Sequence, residues 1–439
     1  MNEKKKLGAA AFLPLIVFLI LYVGCGITFT VMGAESPFAQ FPRHVAILAG
    51  VAVALFLVPS VKVKDKLDIF CTNMGNSGVM MIILIYLMAG GFQGAAAAMG
   101  GKESVVNLSL HFIPVQLLIP GVFLMCCFIS TAIGTSMGTI AAMAPVAIGV
   151  AQGAGLNIGM TCAALIGGAY FGDNLSMISD TTISAAQGCG SQMKDKFRMN
   201  FFIALPAALI AIVFYGLLGG GGSGAIESGA YSVVQVLPYL VVLVTALLGV
   251  NVAVVLFIGI LMTGVIGMAQ GTIGFFTWIQ AIGDGMSDMF SISIVAALIS
   301  GIIGLIREYG GVEWLVETVT SRIKSRRGAE YGIGLLSGIL SAAMVNNTIG
   351  IIVTCPMAKE IGGKYHIAPK RLASLVDIFA CAFLALMPHD GGMLIVTELA
   401  GVTPMEVVKY AFYIYALLLA TCVTIQFGLL RTKEEKESC

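Results

Sequence analysis

Long apolar runs, separated by short polar or charged segments, occupy most of the 439-residue chain. Most runs are close to the roughly 20 residues that a helix needs to cross a hydrocarbon core about 30 Å thick. They lack the alternation of β-strands, and in lipid a helix satisfies its own backbone hydrogen bonds. The pattern predicts helical spans at about 9–32, 44–60, 78–99, 160–178, 199–218, 232–250, 252–268, 290–306, 372–388 and 409–430, with broken pairs of half-helices within 113–152 and 332–358.

The composition agrees with an all-α polytopic membrane protein. Hydrophobic residues make up 58% of the chain and charged residues only 11%, which is too little charge to cover a water-soluble globule. The lipid bilayer is therefore the first expected partner. The net charge of +1 gives no basis for binding nucleic acid.

The second half of the chain repeats the first. Five residues of the first half recur 211 positions later: Ser130, Ala132, Ile140, Pro145 and Ala147 as Ser341, Ala343, Ile351, Pro356 and Ala358. After a one-residue gap, Asp180 recurs 210 positions later as Asp390. Repeats of opposite membrane orientation are typical of secondary transporters, because two such halves can exchange outward-open and inward-open shapes around one midplane site.

This repetition predicts the domain organisation. The expected segments are a first inverted repeat (1–218) with a re-entrant hairpin (113–152) and a broken helix (160–182), a Gly/Ser linker (219–231), a second inverted repeat (232–430) with its own hairpin (332–358) and broken helix (372–392), and a cytoplasmic tail (431–439).

The distribution of basic residues predicts the topology. If each broken pair is a hairpin that enters and leaves on one side, every Lys and Arg except Arg43, Lys102 and Lys409 falls on the side of the N-terminus. Because basic residues favour the cytoplasmic side, we expect both termini in the cytoplasm, the first hairpin open to the outside and the second open to the inside. The inner segment 307–330 is either an amphipathic interfacial helix or a solvated loop.

Small polar residues mark the tips of both hairpins. Thr135 and Ser136 lie at the first tip, and Asn346, Asn347 and Thr348 lie at the matching place in the second. Their oxygens, with carbonyls freed where the backbone unwinds, suit a hard cation such as Na⁺. The alternative is that they only cap half-helices and pack closely against neighbours.

Two aspartates lie at the end of the span 160–178. A carboxylate at membrane depth costs at least about 2.5–3.5 kcal/mol on insertion scales, so it normally pairs, binds an ion or takes up a proton. Asp173 and Asp180 are seven residues apart and would share a face if the helix continued. Competition between Na⁺ and H⁺ for these carboxylates is the simplest mechanism of exchange. The alternative for Asp180 is an N-cap of the next helix.

The equivalent segment of the second half holds Asp390 and His389 beside a proline and two glycines. Asp390 is a candidate for a second cation site, and His389 either titrates near neutral pH or only hydrogen-bonds the backbone. We expect Asp377 to pair with a nearby basic side chain, Lys370 or Arg371. The polar side chains expected to bind a transported solute are Asn174, Ser176, Ser179, Thr181 and His389.

Two segments resemble the NhaC family of sodium/proton antiporters. Gly172 to Thr182 is similar to that family's Gly-Asp, Ser and Ser-Asp-Thr-Thr pattern, and Thr131 to Thr139 resembles its Thr-Gly-Thr-Ser-x-Gly-Thr. Residues 346–348 are similar to the Ser-Asn-Thr tip that binds Na⁺ in the divalent-anion/sodium symporters of the wider ion transporter superfamily. Asn174 stands where many NhaC relatives have Lys, and residues 183–186 also depart from the family pattern.

The resemblance implies a scaffold and a transport domain built from two inverted repeats, an elevator motion, a homodimer and a place in the bacterial cytoplasmic membrane. It implies exchange of Na⁺ for H⁺, with no cofactor and no enzymatic activity. The alternative is a Na⁺- or H⁺-coupled carrier of a small organic anion or amino acid, since the family also contains exchangers of organic acids. An intramembrane aspartyl protease is disfavoured, because residues 169–173 lack the Gly-x-Gly-Asp of such enzymes.

Overall fold

The computed structural model describes residues 7–32, 40–112, 114–177, 179–219, 230–248 and 250–431. Within them the secondary structure is helical, with no strand, which confirms the expected all-α class. The α-helices are α1 Leu13–Leu19, α2 Cys25–Val31, α3 Arg43–Phe56, α4 Val63–Met74, α5 Ser77–Ala98, α6 Gly101–Phe112, α7 Val115–Ile133, α8 Ser136–Gly153, α9 Ile158–Leu175, α10 Asp180–Cys189, α11 Met193–Leu218, α12 Val233–Leu247, α13 Val252–Ala269, α14 Phe275–Asp288, α15 Phe290–Glu308, α16 Gly311–Thr320, α17 Arg326–Met344, α18 Asn347–Lys364, α19 Pro369–Ala385, α20 Gly391–Ala400, α21 Pro404–Val408 and α22 Phe412–Gln426.

Several helices are long and apolar enough to cross a membrane, as the sequence predicts. Among the described residues, five stretches meet both conditions by length and composition: Gly8–Phe29, Ser77–Ala98, Ser136–Gly153, Met193–Leu218 and Phe275–Glu308. Shorter apolar helices accompany them, among them α3, α20 and α22. This architecture fits a polytopic membrane protein.

The helices form two compact units. The first consists of Met1–Leu84, Phe290–Ile323 and Ala343–Val345, and the second of Ile85–Met289, Lys324–Ala342 and Asn346–Cys439. The first unit contains α16, so the segment 307–330, expected as either an interfacial helix or a loop, is helical over Gly311–Thr320. The second unit contains the first helix break and all the candidate site residues, whereas Val345, at the second break, is assigned to the first unit. Each unit draws on both predicted repeats, and the division into inverted repeats stays a prediction.

Helix boundaries recur along the second unit at a constant spacing. The helices α7 to α10 begin at Val115, Ser136, Ile158 and Asp180, and the helices α17 to α20 begin 211 positions later, at Arg326, Asn347, Pro369 and Gly391. The breaks also share a backbone conformation. Gly134 and Val345 are left-handed, with φ of 77° and 48°, and the extended residues that follow, Thr135 and Asn346, each cap the next helix through a side-chain oxygen.

Small residues bring α9 close to α7 and fix the position of the site. A Cβ atom at Gly172 would lie 2.6 Å from the carbonyl oxygen of Cys127, so only glycine allows this approach. The Ser130 hydroxyl donates to the Ala169 carbonyl at 2.5 Å across the same contact. Close approach of backbones through small residues is the usual basis of helix packing in membranes. It holds Asp173, the next residue along α9, in the protein interior.

One segment differs from the prediction. No span is predicted between 268 and 290, so Asp284 and Asp288 are expected to be solvated in an outer loop. Both are exposed, but they lie on the helix α14 and not in a loop. The helix has only a short apolar face that includes the buried Trp278, and its second half is polar. A run of apolar residues long enough to signal a span is therefore missing from the sequence there.

Candidate cation site

A buried carboxylate surrounded by hydroxyl groups forms the centre of the site. Asp173 is only 2% exposed. Its Oδ2 accepts a hydrogen bond from the Ser136 hydroxyl at 2.8 Å, and its Oδ1 accepts from the hydroxyls of Ser179 and, at 3.3 Å, Thr181. The Ser179 and Thr181 hydroxyl oxygens are themselves 2.7 Å apart. The structure thus brings together four residues that the sequence predicted separately.

The ends of three helices create this arrangement. The helix α9 ends at Leu175 and α10 begins at Asp180, so the chain turns back and places its next hydroxyls beside Asp173. Ser179 is the N-cap residue of α10, yet its hydroxyl binds Asp173 instead of capping the backbone. Ser136 is the first residue of α8. Two helix N-termini therefore meet at the carboxylate, and their partial positive charge favours its ionised form.

The chemistry of these groups allows either Na⁺ or H⁺ to be held. Each hydroxyl has one donor hydrogen and two acceptor lone pairs, so it can donate to a bare carboxylate or turn an oxygen toward a cation. Oxygen ligands of this kind suit hard cations. Burial alone disfavours an uncompensated carboxylate, which then binds a proton or another cation. Asp173 and its three hydroxyls can serve either purpose.

A buried ion pair lies next to this cluster. Lys196 and Asp377 are both fully buried, with the Lys196 Nζ 2.6 Å from Asp377 Oδ2. The ammonium also donates to the Asn174 carbonyl at 2.9 Å and to the Thr182 hydroxyl at 2.6 Å. Asn200 donates to the same Asn174 carbonyl and to the same Asp377 oxygen. These polar groups form a second network around the end of α9.

The prediction for the partner of Asp377 is wrong. Asp377 pairs with Lys196 and not with Lys370 or Arg371. Arg371 pairs instead with the buried Glu330 at 2.9 Å. The distribution of basic residues predicts an inner-side position for Lys196, whereas its ammonium is buried inside the protein. A signal existed, since an aspartate inside an apolar run requires a cation. The sequence did not show which helix would supply it.

Two residues of the second hairpin tip bond to groups other than Asp173. Asn346 caps α18 by accepting from the Ile349 amide at 2.9 Å, just as Thr135 caps α8. Asn347 is nearly buried, and its amide nitrogen lies 3.4 Å from the Cys381 sulfur. Thr348 is half-buried in the first turn of α18. Thr135 and Asn346 therefore act as helix caps, as the alternative predicts. Cation binding by the tip residues stays a prediction.

The two remaining aspartates occupy different environments. Asp180 is exposed at the start of α10, and since α9 ends before it, Asp180 does not share a helical face with Asp173. Asp390 is buried, caps α20 by accepting from the Gly392 and Met393 amides, and accepts from the Tyr170 hydroxyl at 3.3 Å.

The pairing of Asp180 with Asp390 is wrong at the level of helices. The helices α10 and α20 begin 211 positions apart, at Asp180 and Gly391, so the N-cap residue that matches Asp390 is Ser179. Both of these N-caps have nearly the same backbone conformation. The sequence identities suggest a change of spacing from 211 to 210 residues, but the helix starts keep the spacing of 211.

The predicted solute-binding residues lie in two places. Ser179 and Thr181 belong to the Asp173 cluster, and Asn174 and Ser176 are buried at the end of α9. Asn174 contributes its carbonyl to the Lys196 network. His389 is buried elsewhere, with its Nε2 2.9 Å from the Ala342 carbonyl oxygen, which agrees with the backbone-bonding alternative.

Proteins of known sequence resemble the chain over most of its length. The malate-2H⁺/Na⁺-lactate antiporter of Bacillus subtilis (strain 168) is 21% identical over 94% of this chain and 93% of its own. The Na⁺/H⁺ antiporter NhaC of the same organism is 27% identical over 81% of this chain and 85% of its own. Among solved structures, the YdaH transporter of Alcanivorax borkumensis aligns over 96% of this chain and 99% of that one, at 12% identity. Its TM-score of 0.41 is too low to assign a fold.

The family model is the decisive comparison. The model described as the Na⁺/H⁺ antiporter family matches residues 7–220 and 224–431, which is nearly the whole chain. The match covers both helix breaks and the Asp173 cluster, and it confirms the resemblance that the motifs at 131–139 and 172–182 indicate. Together with the apolar helices, it identifies a multi-pass membrane protein of transporter type. The chain belongs to the Na⁺/H⁺ antiporter family.

Proposed function

We propose that this protein exchanges Na⁺ for H⁺ across a bacterial cytoplasmic membrane, with Asp173 as the group that both ions share. The observation that carries the proposal is the Asp173 carboxylate, buried and contacted by the hydroxyls of Ser136, Ser179 and Thr181. Membership of the antiporter family supports the same exchange. Both ions travel as substrates, and the proposal requires no cofactor.

In the Na⁺-loaded form, the ionised carboxylate and the three hydroxyls would each offer an oxygen to the ion. In the proton-loaded form, the carboxyl group is neutral and the hydroxyls keep their hydrogen bonds. One group cannot hold both ions, so Na⁺ binding releases a proton and proton binding releases Na⁺. Alternating exposure of this single site to the two sides would then couple the two fluxes in opposite directions.

For alternating access we propose an elevator-type motion in a homodimer. Two features support a moving body that carries the site: all candidate ligands belong to one compact unit, and the starts of α7 to α10 recur 211 residues later in α17 to α20. Interrupted helices with free carbonyls are the usual sites of coupling ions in transporters built from inverted repeats. Thr135, Asn346, Asn347, Thr348 and Asp180 stay predicted ligands in this scheme. Asp390, predicted from the sequence as a second cation site, is not used here, since two backbone amides and the Tyr170 hydroxyl already donate to it.

Flux measurements on purified protein in liposomes test the exchange. A Na⁺ gradient alone should drive an opposing proton flux, seen with a pH-sensitive dye inside the vesicles. Asp173→Asn should remove this flux while the protein remains folded and in the membrane. If transport required an added organic acid or amino acid, the alternative of a solute carrier would replace the exchange proposed here.

A further inference from the structure

The Lys196 ammonium occupies a complete set of oxygen ligands. Its Nζ atom lies 2.6 Å from Asp377 Oδ2, 2.6 Å from the Thr182 hydroxyl and 2.9 Å from the Asn174 carbonyl oxygen. An ammonium group has three donors, so each of its hydrogens has an acceptor. The side chains of Lys196 and Asp377 are both fully buried.

These three oxygens form a cation site in their own right. One belongs to a carboxylate, one to a hydroxyl, and one to a peptide carbonyl near the C-terminus of α9, where helix geometry leaves the last four carbonyls without a helical partner. The same combination of oxygens binds hard metal cations. Asn200 donates to both the Asn174 carbonyl and Asp377 Oδ2, which fixes two of the three ligands in place.

The second network adjoins the Asp173 site directly. Thr182 accepts from Lys196, and its hydroxyl is also 3.4 Å from the backbone carbonyl oxygen of Asp173. Both sites thus use residues from the end of α9 and the start of α10. Lys196 pairs with Asp377 and supplies one positive charge against the two carboxylates, Asp173 and Asp377. One further monovalent cation balances their charge.

We propose that Lys196 is a tethered cation that permanently fills a second cation site, so that the protein binds one exchangeable Na⁺ and not two. This inference rests on the proposed function, because the exchangeable ion is the one at Asp173. Asp390 does not add to the count, since two backbone amides and the Tyr170 hydroxyl already satisfy it. Lys196 would then set the number of ions that each transport cycle carries.

The test counts Na⁺ bound to purified full-length protein, by equilibrium binding of radioactive Na⁺ at saturating concentration and alkaline pH. We expect one Na⁺ per chain in the wild type. Lys196→Met empties the second site and leaves Asp377, so two Na⁺ should bind, with a sigmoidal dependence on concentration. Lys196→Met combined with Asp377→Asn removes the site altogether and should return the count to one. The matched control is Lys194→Met, an exposed lysine on the same helix, which should bind one Na⁺.

The outcomes separate this inference from the proposed function. Two Na⁺ in the wild type, or only one in a folded Lys196→Met protein, would overturn the role of Lys196. If Lys196→Met does not fold, the wild-type count still decides, because any value above one contradicts a filled second site. No Na⁺ in the wild type, or an unchanged count in Asp173→Asn, would instead overturn Asp173 as the shared site.

Discussion

At the scale of single residues, the balance at Asp173 is the central feature. Burial opposes its negative charge, whereas three hydroxyl donors and two helix N-termini favour it. With influences opposed in this way, the carboxyl group can hold either a proton or a metal cation. A carboxylate paired directly with lysine, as Asp377 is with Lys196, loses that freedom. Asp173 is therefore suited to exchange ions, whereas Asp377 is suited to a permanent ion pair with Lys196.

Removing one hydroxyl should weaken Na⁺ binding without destroying the site. Ser179→Ala deletes a hydrogen bond to the carboxylate and one oxygen ligand, and hydrogen bonds to charged groups contribute about 1.5–3 kcal/mol. The apparent Na⁺ affinity should fall about tenfold or more, measured as the Na⁺ concentration for half-maximal flux. Ser191→Ala, in the turn that follows α10, is the control and should transport like the wild type. Equal affinities in the two variants would contradict the ligand role of Ser179.

At the scale of helices, the two breaks depend on one unusual backbone conformation. Gly134 and Val345 are both left-handed, and the residue after each caps the next helix. Glycine adopts this conformation freely, whereas a side chain with a Cβ is strained in it. The break in the first half is therefore encoded by glycine. The break in the second half exists despite a valine, so the surrounding structure must hold it there.

Adding a methyl group at Gly134 should destabilise the first break. Gly134→Ala places a Cβ in the left-handed conformation, which costs roughly 1–2 kcal/mol, and the thermal unfolding temperature in detergent should fall. Gly363→Ala is the matched control. Gly363 lies inside α18 with no atom within 4 Å of a built Cβ, so alanine should leave the stability unchanged or raise it. A Gly134→Ala protein as stable as the control would show that the left-handed residue does not shape the break.

The apolar spans and the positions of the two breaks could be predicted from the sequence because local signals mark them, although the left-handed conformation of Val345 has no such signal. Apolar length, Gly134, and the polar tips beginning at Ser136 and Asn347 all lie within the segments that they define. The site was only partly predictable, since Asp173, Ser179 and Thr181 are neighbours along the chain. The pairing of Lys196 with Asp377 joins residues on α11 and α19, and no spacing rule shows which buried groups meet across such a distance.

At the scale of the whole molecule, function depends on the orientation of the two hairpins. The distribution of basic residues favours opposite orientations, because this arrangement leaves only Arg43, Lys102 and Lys409 on the outer side. Opposite orientations would let the same helix order serve both sides of the membrane.

Chemical labelling of single cysteines tests these orientations. After replacement of the native cysteines, a cysteine at Gly153, exposed at the end of α8, should react with a membrane-impermeant reagent from outside. A cysteine at Gly363, exposed on α18, should react only from inside. As a control, each cysteine variant should show exchange activity before the reagent is added. Reaction of both cysteines from the same side would refute the inverted arrangement.

Calorimetric titration of the purified protein with Na⁺ at several pH values is the most direct test of competition between Na⁺ and H⁺ at Asp173. Protonation removes the charged ligand, so the apparent Na⁺ affinity should fall about tenfold per pH unit below the pKa of the site and level off above it. Proton release on Na⁺ binding should appear as a dependence of the measured heat on the buffer. An affinity that does not change with pH, without proton release, would contradict a shared site at Asp173.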